Sequence, residues 1–215
     1  IDTETTGVDF YHGAMPFFGS TCDENGGQRY WAWHVDPLTR EVLVDDDDVR
    51  QMRLLLGTVD RTVLHNTKFD VAALITIGVD EFRWDAYYDT LLAAHLLASN
   101  QPKDLTSLGV QYLNVDIQPY EDKLEIAVQE ARRWARTNRP KWRIAKADLE
   151  DMPSAKEKTW KYDSWLPRAM ARHQGKPPDH PWWTVLRDYA NMDSASTLKL
   201  WMAMLWERVE SYWVH

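Results

Sequence analysis

The amino-acid sequence predicts an α/β domain in which a mixed β-sheet is flanked by helices. Short apolar runs bounded by turn residues come first along the chain, and similar runs then alternate with helical patterns, which is the order expected of an α/β layer. Apolar residues make up 44% of the 215 residues and charged residues 27%, a composition typical of a folded globular domain. No apolar run reaches the length of about 18 residues that a membrane-spanning helix needs, so no membrane partner is predicted.

The first part of the chain carries the pattern of a β-hairpin. Residues 15–22 form an apolar run, and residues 23–27 supply Asp, Asn and two glycines, which tolerate the positive φ angles of a tight turn. Residues 29–35 form a second run, rich in aromatic side chains. A helix over 49–56 follows, and the acidic run 45–48 before it is interpreted as a helix cap rather than as a cation site.

Strands and helices then alternate. Short apolar segments predict strands, and segments with apolar residues three and four positions apart predict helices. The predicted strands are 62–65 and 83–88, and the predicted helices are 69–77, 90–98, 105–113, 121–136 and 183 to the end. Asp89 precedes one of these helices and is expected to cap it, with a contribution of charge to a nearby site as the alternative.

Three short patterns of acidic and polar residues stand in order along the chain. Asp2 and Glu4 are two positions apart in a predicted strand, so both carboxylates face the same side of the sheet. Two carboxylates this close repel each other unless a cation lies between them. Carboxylate oxygens are hard ligands, which suit Mg²⁺ or Mn²⁺. Asn66 and Asp70 form the second pattern, for which capping of a strand-to-helix turn is the alternative. In the third pattern, DYANMD, the tyrosine and the last aspartate share one face of a helix.

The segments that contain these residues resemble the exonuclease motifs of the DEDD superfamily, in its tyrosine-bearing branch. The segments are IDTETTG, HNTKFDVAAL, YDTLLAAHLL and DYANMDSASTLKLW, and they are most similar to the 3′→5′ proofreading exonuclease domain of family A DNA polymerases. The resemblance covers about residues 1–114 and 184–208 and does not extend over about 116–180. It implies an RNase H-like fold for the mixed sheet.

The resemblance also implies hydrolysis of phosphodiester bonds with two Mg²⁺ ions, for which Mn²⁺ would substitute. Asp2, Glu4 and Asp193 would hold the ion that binds the attacking water. Asp2 would bridge to a second ion, which Asp70 would support. Tyr189 would orient the water. The remaining contacts that the resemblance implies lie near the 3′-terminal nucleotide and comprise Thr5, Thr6, Val8, Asn66 and Phe69.

The segment from about residue 116 to 180 is predicted to be a helical, tryptophan-rich insertion in a single domain, 1–215. Residues 131–146 carry seven Lys or Arg side chains and no acidic one, although the whole chain has a net charge of −8. Basic side chains interleaved with aromatic ones favour a groove for single-stranded nucleic acid, with a small core of the insertion's own tryptophans as the alternative. The candidate substrate contacts in this segment are Arg136, Arg139 and Arg143.

The leading functional interpretation is a 3′→5′ exonuclease acting on single-stranded DNA or frayed 3′ ends. It would be the proofreading part of a DNA polymerase whose polymerase domain follows in the same chain. A free-standing RNase D-like exoribonuclease is an alternative, because nothing in the motifs separates DNA from RNA. A non-catalytic single-strand-binding module is another. With the single cysteine Cys22, no initiator Met and no targeting signal, a piece of a longer cytoplasmic protein from a bacterium or phage-infected cell is expected.

Overall fold

The chain folds as a mixed α/β structure of helices and small β-sheets. The computed structural model describes residues 1–36, 41–138, 166–173, 175–177 and 179–213. The strands are β1 (Asp2–Thr5), β2 (Pro16–Cys22), β3 (Gln28–Ala32), β4 (His34–Val35), β5 (Val42–Leu43), β6 (Thr62–Leu64) and β7 (Tyr87–Asp89). The helices are α1 (Asp46–Thr58), α2 (Thr67–Thr76), α3 (Thr90–Leu97), α4 (Leu105–Leu108), α5 (Gln118–Asn138), α6 (Leu166–His173) and α7 (Pro181–Trp213).

The strands form three small sheets, two of which are linked by a hydrogen bond. β1, β2 and β3 form an antiparallel sheet with β2 in the centre, where Asp2 lies opposite Ser20. β6 and β7 pair in parallel, and β4 and β5 form a separate antiparallel ribbon. The amino group of Ile1 donates a hydrogen bond of 2.9 Å to the carbonyl of Val63. This bond brings the residue just before β1 next to β6, while the three-stranded and two-stranded sheets stay separate.

α7 packs across the sheet and contacts β2, β1 and β6 as well as α3, α5 and α6. Its side chains Leu186, Ala190 and Leu200 are fully buried, and Phe17 and Phe18 of β2 are equally inaccessible to water. Burial of apolar side chains from both sides therefore holds α7 against the sheet. Although α7 has 33 residues, no helix in the described part of the chain is long and apolar enough to cross a membrane.

The described parts of the predicted insertion belong to the main hydrophobic core. Buried side chains of α5 and α6 join the same cluster as Phe18 of the sheet. The indole of Trp182 is buried and donates a hydrogen bond of 3.0 Å to Glu130, and the guanidinium of Arg168 lies 4.5 Å from the ring centre of Trp183. Trp182 and Trp183, which follow the insertion at the start of α7, therefore pack helices together.

The predicted elements agree with the structure to within three residues at most ends, with three exceptions. The second strand, predicted over 29–35, is divided into β3 and β4 at Trp33, whose buried indole donates to Asp48 at 2.8 Å. The segment 83–88 begins with a 3₁₀ turn, Trp84–Ala86, before β7. The helix predicted over 105–113 changes after α4 into a π-helical turn. Contacts between distant residues override local propensity at Trp33.

Asp89 caps two helices with one carboxylate. Its Oδ1 accepts hydrogen bonds from the backbone amides of Leu91 and Leu92 at the start of α3. The same carboxylate accepts from the amides of Asn66 at 3.1 Å and Thr67 at 2.8 Å, at the start of α2. The capping interpretation of Asp89 is confirmed. Capping by the Asn66 side chain, the alternative for that residue, is wrong, because Asn66 has a left-handed φ of 73° and makes no side-chain cap.

Replacing Asp89 with Ala is expected to lower the free energy of unfolding by about 2–4 kcal/mol, because a lost N-cap costs roughly 1–2 kcal/mol and two helices lose theirs. Asp45→Ala is the matched control, since Asp45 caps only α1, through one hydrogen bond of 2.8 Å to the amide of Asp47. Chemical denaturation measures both variants. Equal losses of stability would contradict a double cap.

Candidate metal centre

Three carboxylates from opposite ends of the chain meet where α7 crosses β1. One ligand oxygen from each of Asp2, Glu4 and Asp193 lies within 4.8 Å of the other two. Asp2 and Glu4 share a face of β1 because side chains alternate along a strand. The hydroxyl of Ser20 donates a hydrogen bond of 2.7 Å to the carbonyl of Ala190, one turn before Asp193. This bond fixes the position of α7 over the two acids of β1.

The carboxylates of this cluster are largely withdrawn from water. Asp193 is only 9% exposed, and Asp2 and Glu4 are partly buried. Burial, followed by the negative charge of Asp2, raises the pKa of Asp193 to about 8. Burial likewise raises the pKa of Asp2. Holding these groups ionised at neutral pH therefore costs free energy, which a bound divalent cation would offset.

Asp70 is not one of the three clustered carboxylates, but it interacts electrostatically with Asp2. It is 3% exposed, and its Oδ1 accepts hydrogen bonds from the amide of Thr3 at 3.0 Å and the hydroxyl of Thr3 at 2.7 Å. Burial raises the pKa of Asp70, and the negative charge of Asp2 raises it further. Three of the four sequence-predicted carboxylates are thus brought together, and the fourth lies within electrostatic reach of one of them.

The hydroxyl of Tyr189 is hydrogen-bonded to the carboxylate of Asp193, one turn further along α7. Burial raises the pKa of Tyr189 well above its ordinary value, and the charges of Glu4, Asp193 and Asp2 raise it further. The phenol therefore keeps its proton and acts as a hydrogen-bond donor at the cluster. Such a group can orient an oxygen nucleophile but cannot serve as its base.

Thr3 is a residue of this candidate site that the sequence analysis missed. It stands between the two acids of β1, carries no charge, and holds Asp70 with both its amide and its hydroxyl. The alternation of side chains along a strand could have indicated this role, because it makes Thr3 face away from Asp2 and Glu4.

Glu121 is a second residue that was not predicted. It lies in the first turn of α5, and its Oε1 accepts a hydrogen bond of 2.7 Å from the hydroxyl of Thr106. Its charge contributes to the raised pKa of Asp193. No motif indicated Glu121, because it lies in the segment to which the resemblance does not extend.

Thr3→Val is expected to weaken Mg²⁺ binding by about 10-fold or more, because a group that holds a metal ligand typically contributes that much. The variant keeps the hydrogen bond from the backbone amide of residue 3 to Asp70 and loses only the one from the hydroxyl. The free energy of unfolding should therefore fall by about 1–2 kcal/mol. Titration calorimetry and denaturation measure the two effects. Thr3→Ser keeps the hydroxyl and should restore Mg²⁺ affinity; unchanged affinity in Thr3→Val would show that Asp70 plays no part in holding the cation.

The substrate contacts predicted at the end of β1 and just after it include both buried and exposed side chains. Thr5 donates through its hydroxyl to the carbonyl of Gly7 at 2.8 Å. Thr6 is 2% exposed, and its hydroxyl accepts a hydrogen bond from the amide of Met15 at 3.1 Å. Val8 is 80% exposed. Thr6 therefore closes the loop between β1 and β2, whereas Val8 is available to a ligand.

The other predicted contacts lie at α2 and α5. Phe69 is half-buried in the first turn of α2, directly before Asp70, and Asn66 precedes that turn. The backbone of Arg136 lies in α5. The side chain of Arg136, and the whole of Arg139 and Arg143, are outside the described residues.

No protein-family model matches this chain, and no curated protein matches it either.

Proposed function

We propose that this chain is a two-metal-dependent 3′→5′ exonuclease domain that hydrolyses phosphodiester bonds at DNA 3′ ends, as the proofreading part of a family A DNA polymerase. The observation that carries the proposal is the cluster of Asp2, Glu4 and Asp193, with the Tyr189 hydroxyl bonded to it. Asp2 and Glu4 were singled out within the first motif, and Tyr189 and Asp193 within the last. Folding brings the first and last motifs together although they are nearly the whole chain apart.

The arrangement of the strands supports an RNase H-like fold for this domain. β1 pairs with the antiparallel hairpin β2 and β3, and Ile1, just before β1, bonds to Val63 of the parallel pair β6 and β7. The two acids of β1 thus lie near both sheets, and α7 carries Asp193 to them.

The donor set suits Mg²⁺ or Mn²⁺, since every candidate ligand is a hard carboxylate oxygen. Bound divalent cations would neutralise these carboxylates and stabilise the charge on the entering and leaving oxygens of an in-line displacement. Asp2, Glu4 and Asp193 present the oxygens for one cation. Asp70, held in place by Thr3, would support a second cation beside Asp2. The Tyr189 hydroxyl donates its one proton to Asp193, and its oxygen would accept a hydrogen bond from the attacking water and so orient it.

The deciding experiment compares single-stranded DNA labelled at its 3′ end with the same strand labelled at its 5′ end. With Mg²⁺, the 3′ label should be released as a mononucleotide while the 5′-labelled strand shortens stepwise, and chelator should stop both. Faster hydrolysis of the RNA strand of equal sequence would favour the exoribonuclease. Binding without any hydrolysis would favour the non-catalytic module and overturn the proposal.

Tyr189→Phe is expected to lower the single-turnover rate by about 10²-fold, the effect of removing one aligned hydrogen-bonding group. The ring still packs in the same place, so the affinity for Mg²⁺ and for DNA should be nearly unchanged. Tyr30→Phe is the matched control, because Tyr30 is 48% exposed on β3 and lies outside the cluster. A loss of Mg²⁺ affinity as large as the loss of rate would mean that Tyr189 holds the carboxylates and not the water.

A further inference from the structure

The loop between β1 and β2 displays an exposed apolar patch. Its centre is Tyr11, which is 99% exposed, and Val8 beside it in sequence is 80% exposed. Phe10 and Phe69 are half-buried and meet edge to face, with ring centres 5.2 Å apart. Together these four residues, Val8, Phe10, Tyr11 and Phe69, are called the rim patch. Isolated exposed apolar side chains need no explanation, but two on one short loop, beside an aromatic pair that joins this loop to a helix turn, call for one.

The loop that carries Tyr11 is held in one conformation by backbone hydrogen bonds. The amide of Thr6 donates to the carbonyl of Met15 at 2.9 Å and so closes the base of the loop. The carbonyl of Asp9 accepts from the amides of His12 at 3.2 Å and Ala14 at 3.1 Å, which forms the 3₁₀ turn 10–12. Tyr11 is therefore presented to solvent on a closed, hydrogen-bonded turn.

The rim patch joins the two elements that carry Asp2, Glu4 and Asp70, because its loop follows β1 and contacts the first turn of α2. Phe69 directly precedes Asp70 in α2, and its contact with Phe10 fastens the loop to that helix turn. Lys68, the residue before Phe69, is exposed on the same turn and carries a positive charge. An exposed aromatic face and a cation thus lie on segments that border the elements of the candidate metal centre, a combination that suits a single-stranded nucleic acid.

We propose that Tyr11 is a stacking platform for an unpaired base of the strand whose 3′ end lies at the carboxylates. This inference rests on the proposed function and deepens it, since it adds a base contact to the contacts with phosphate. Stacking uses the π-face that every base has, so it tolerates any sequence but requires that the base be unpaired. Tyr11 would then select single-stranded or frayed ends over intact duplex ends.

The test measures binding of a short single-stranded DNA in the presence of Ca²⁺, which should permit binding with little turnover because its coordination geometry is looser than that of Mg²⁺. Tyr11→Ala should weaken binding about 5- to 150-fold, the range found when one stacked base loses its aromatic partner. Tyr11→Phe keeps the ring and should bind like the parent protein. Leu96→Ala is the control for loss of exposed apolar surface, because Leu96 is 84% exposed on α3, away from the loop.

Strands with a single abasic site locate the stacked base. If Tyr11 stacks on one base, removing that base should weaken binding to the parent protein but leave Tyr11→Ala unaffected, whereas abasic sites elsewhere should affect both equally. Full affinity of Tyr11→Ala, or an equal loss on every abasic strand, would overturn the inference and favour a protein partner for the rim patch. Hydrolysis by the parent protein with Mg²⁺ would still support the exonuclease in that case, whereas its absence would overturn both.

Discussion

Replacing Asp193 with Ala is expected to abolish measurable hydrolysis, with a loss of at least about 10³-fold, the upper end of what one charge-stabilising group supplies. The change removes one of the three oxygens within 4.8 Å of one another, and it also removes the acceptor of the Tyr189 hydroxyl. Both the cation and the water-orienting hydroxyl of Tyr189 would lose their position. The loss should therefore exceed that of Tyr189→Phe, which leaves all three carboxylates in place.

Asp188→Ala is the matched control for this variant. Asp188 lies on the same helix, five residues earlier, and its carboxylate is exposed and paired with Arg187 at 3.0 Å. An exposed ion pair of this kind contributes little to stability, so the control should keep both fold and activity. Asp193→Asn, which preserves shape but not charge, should be as inactive as the Ala variant. Substantial activity in either Asp193 variant, with Mg²⁺ present, would contradict the proposed metal site.

The chelated protein is expected to become less stable as the pH rises from about 4 to about 8, and Mg²⁺ is expected to reverse that loss. Burial raises the pKa of Asp193 from 3.8 to about 8 in the folded state, so the folded protein keeps a proton that the unfolded chain has released. The resulting stability is complete below the unfolded pKa and is lost as the pH rises through the folded one. The pKa values of Asp2 and Asp70 are raised in the same direction, which reinforces the trend.

Mg²⁺ competes with these protons for the same oxygens, so its stabilising effect should be larger at pH 8 than at pH 5. Thermal unfolding at a series of pH values, with chelator and with Mg²⁺, measures both effects. Asp193→Asn cannot ionise and should flatten the pH dependence of the chelated protein while raising its melting temperature at pH 8. A melting temperature that is independent of pH in chelator, or an equal Mg²⁺ shift at both pH values, would contradict this account of the cluster.

Sequence periodicity alone determined the local parts of the site. The two-residue repeat of a strand places Asp2 and Glu4 on one face of β1, and the four-residue spacing places Tyr189 and Asp193 on one face of α7. Asp89 was likewise predicted as a cap from its position before an apolar helix. These predictions depend on residues a few positions apart, where backbone geometry fixes the direction of each side chain.

Only the tertiary structure decided which of these local pieces meet. The bond from Ser20 to Ala190 joins residues 170 positions apart and sets Asp193 over β1. Asp89 reaches back 23 positions to cap α2, and Thr3 holds Asp70 across 67 positions. No local pattern encodes such contacts, because they follow from how apolar faces of distant elements pack together. The sequence therefore determined which residues could contribute to a metal centre, and packing decided that Asp2, Glu4 and Asp193 come together, with Asp70 held by Thr3.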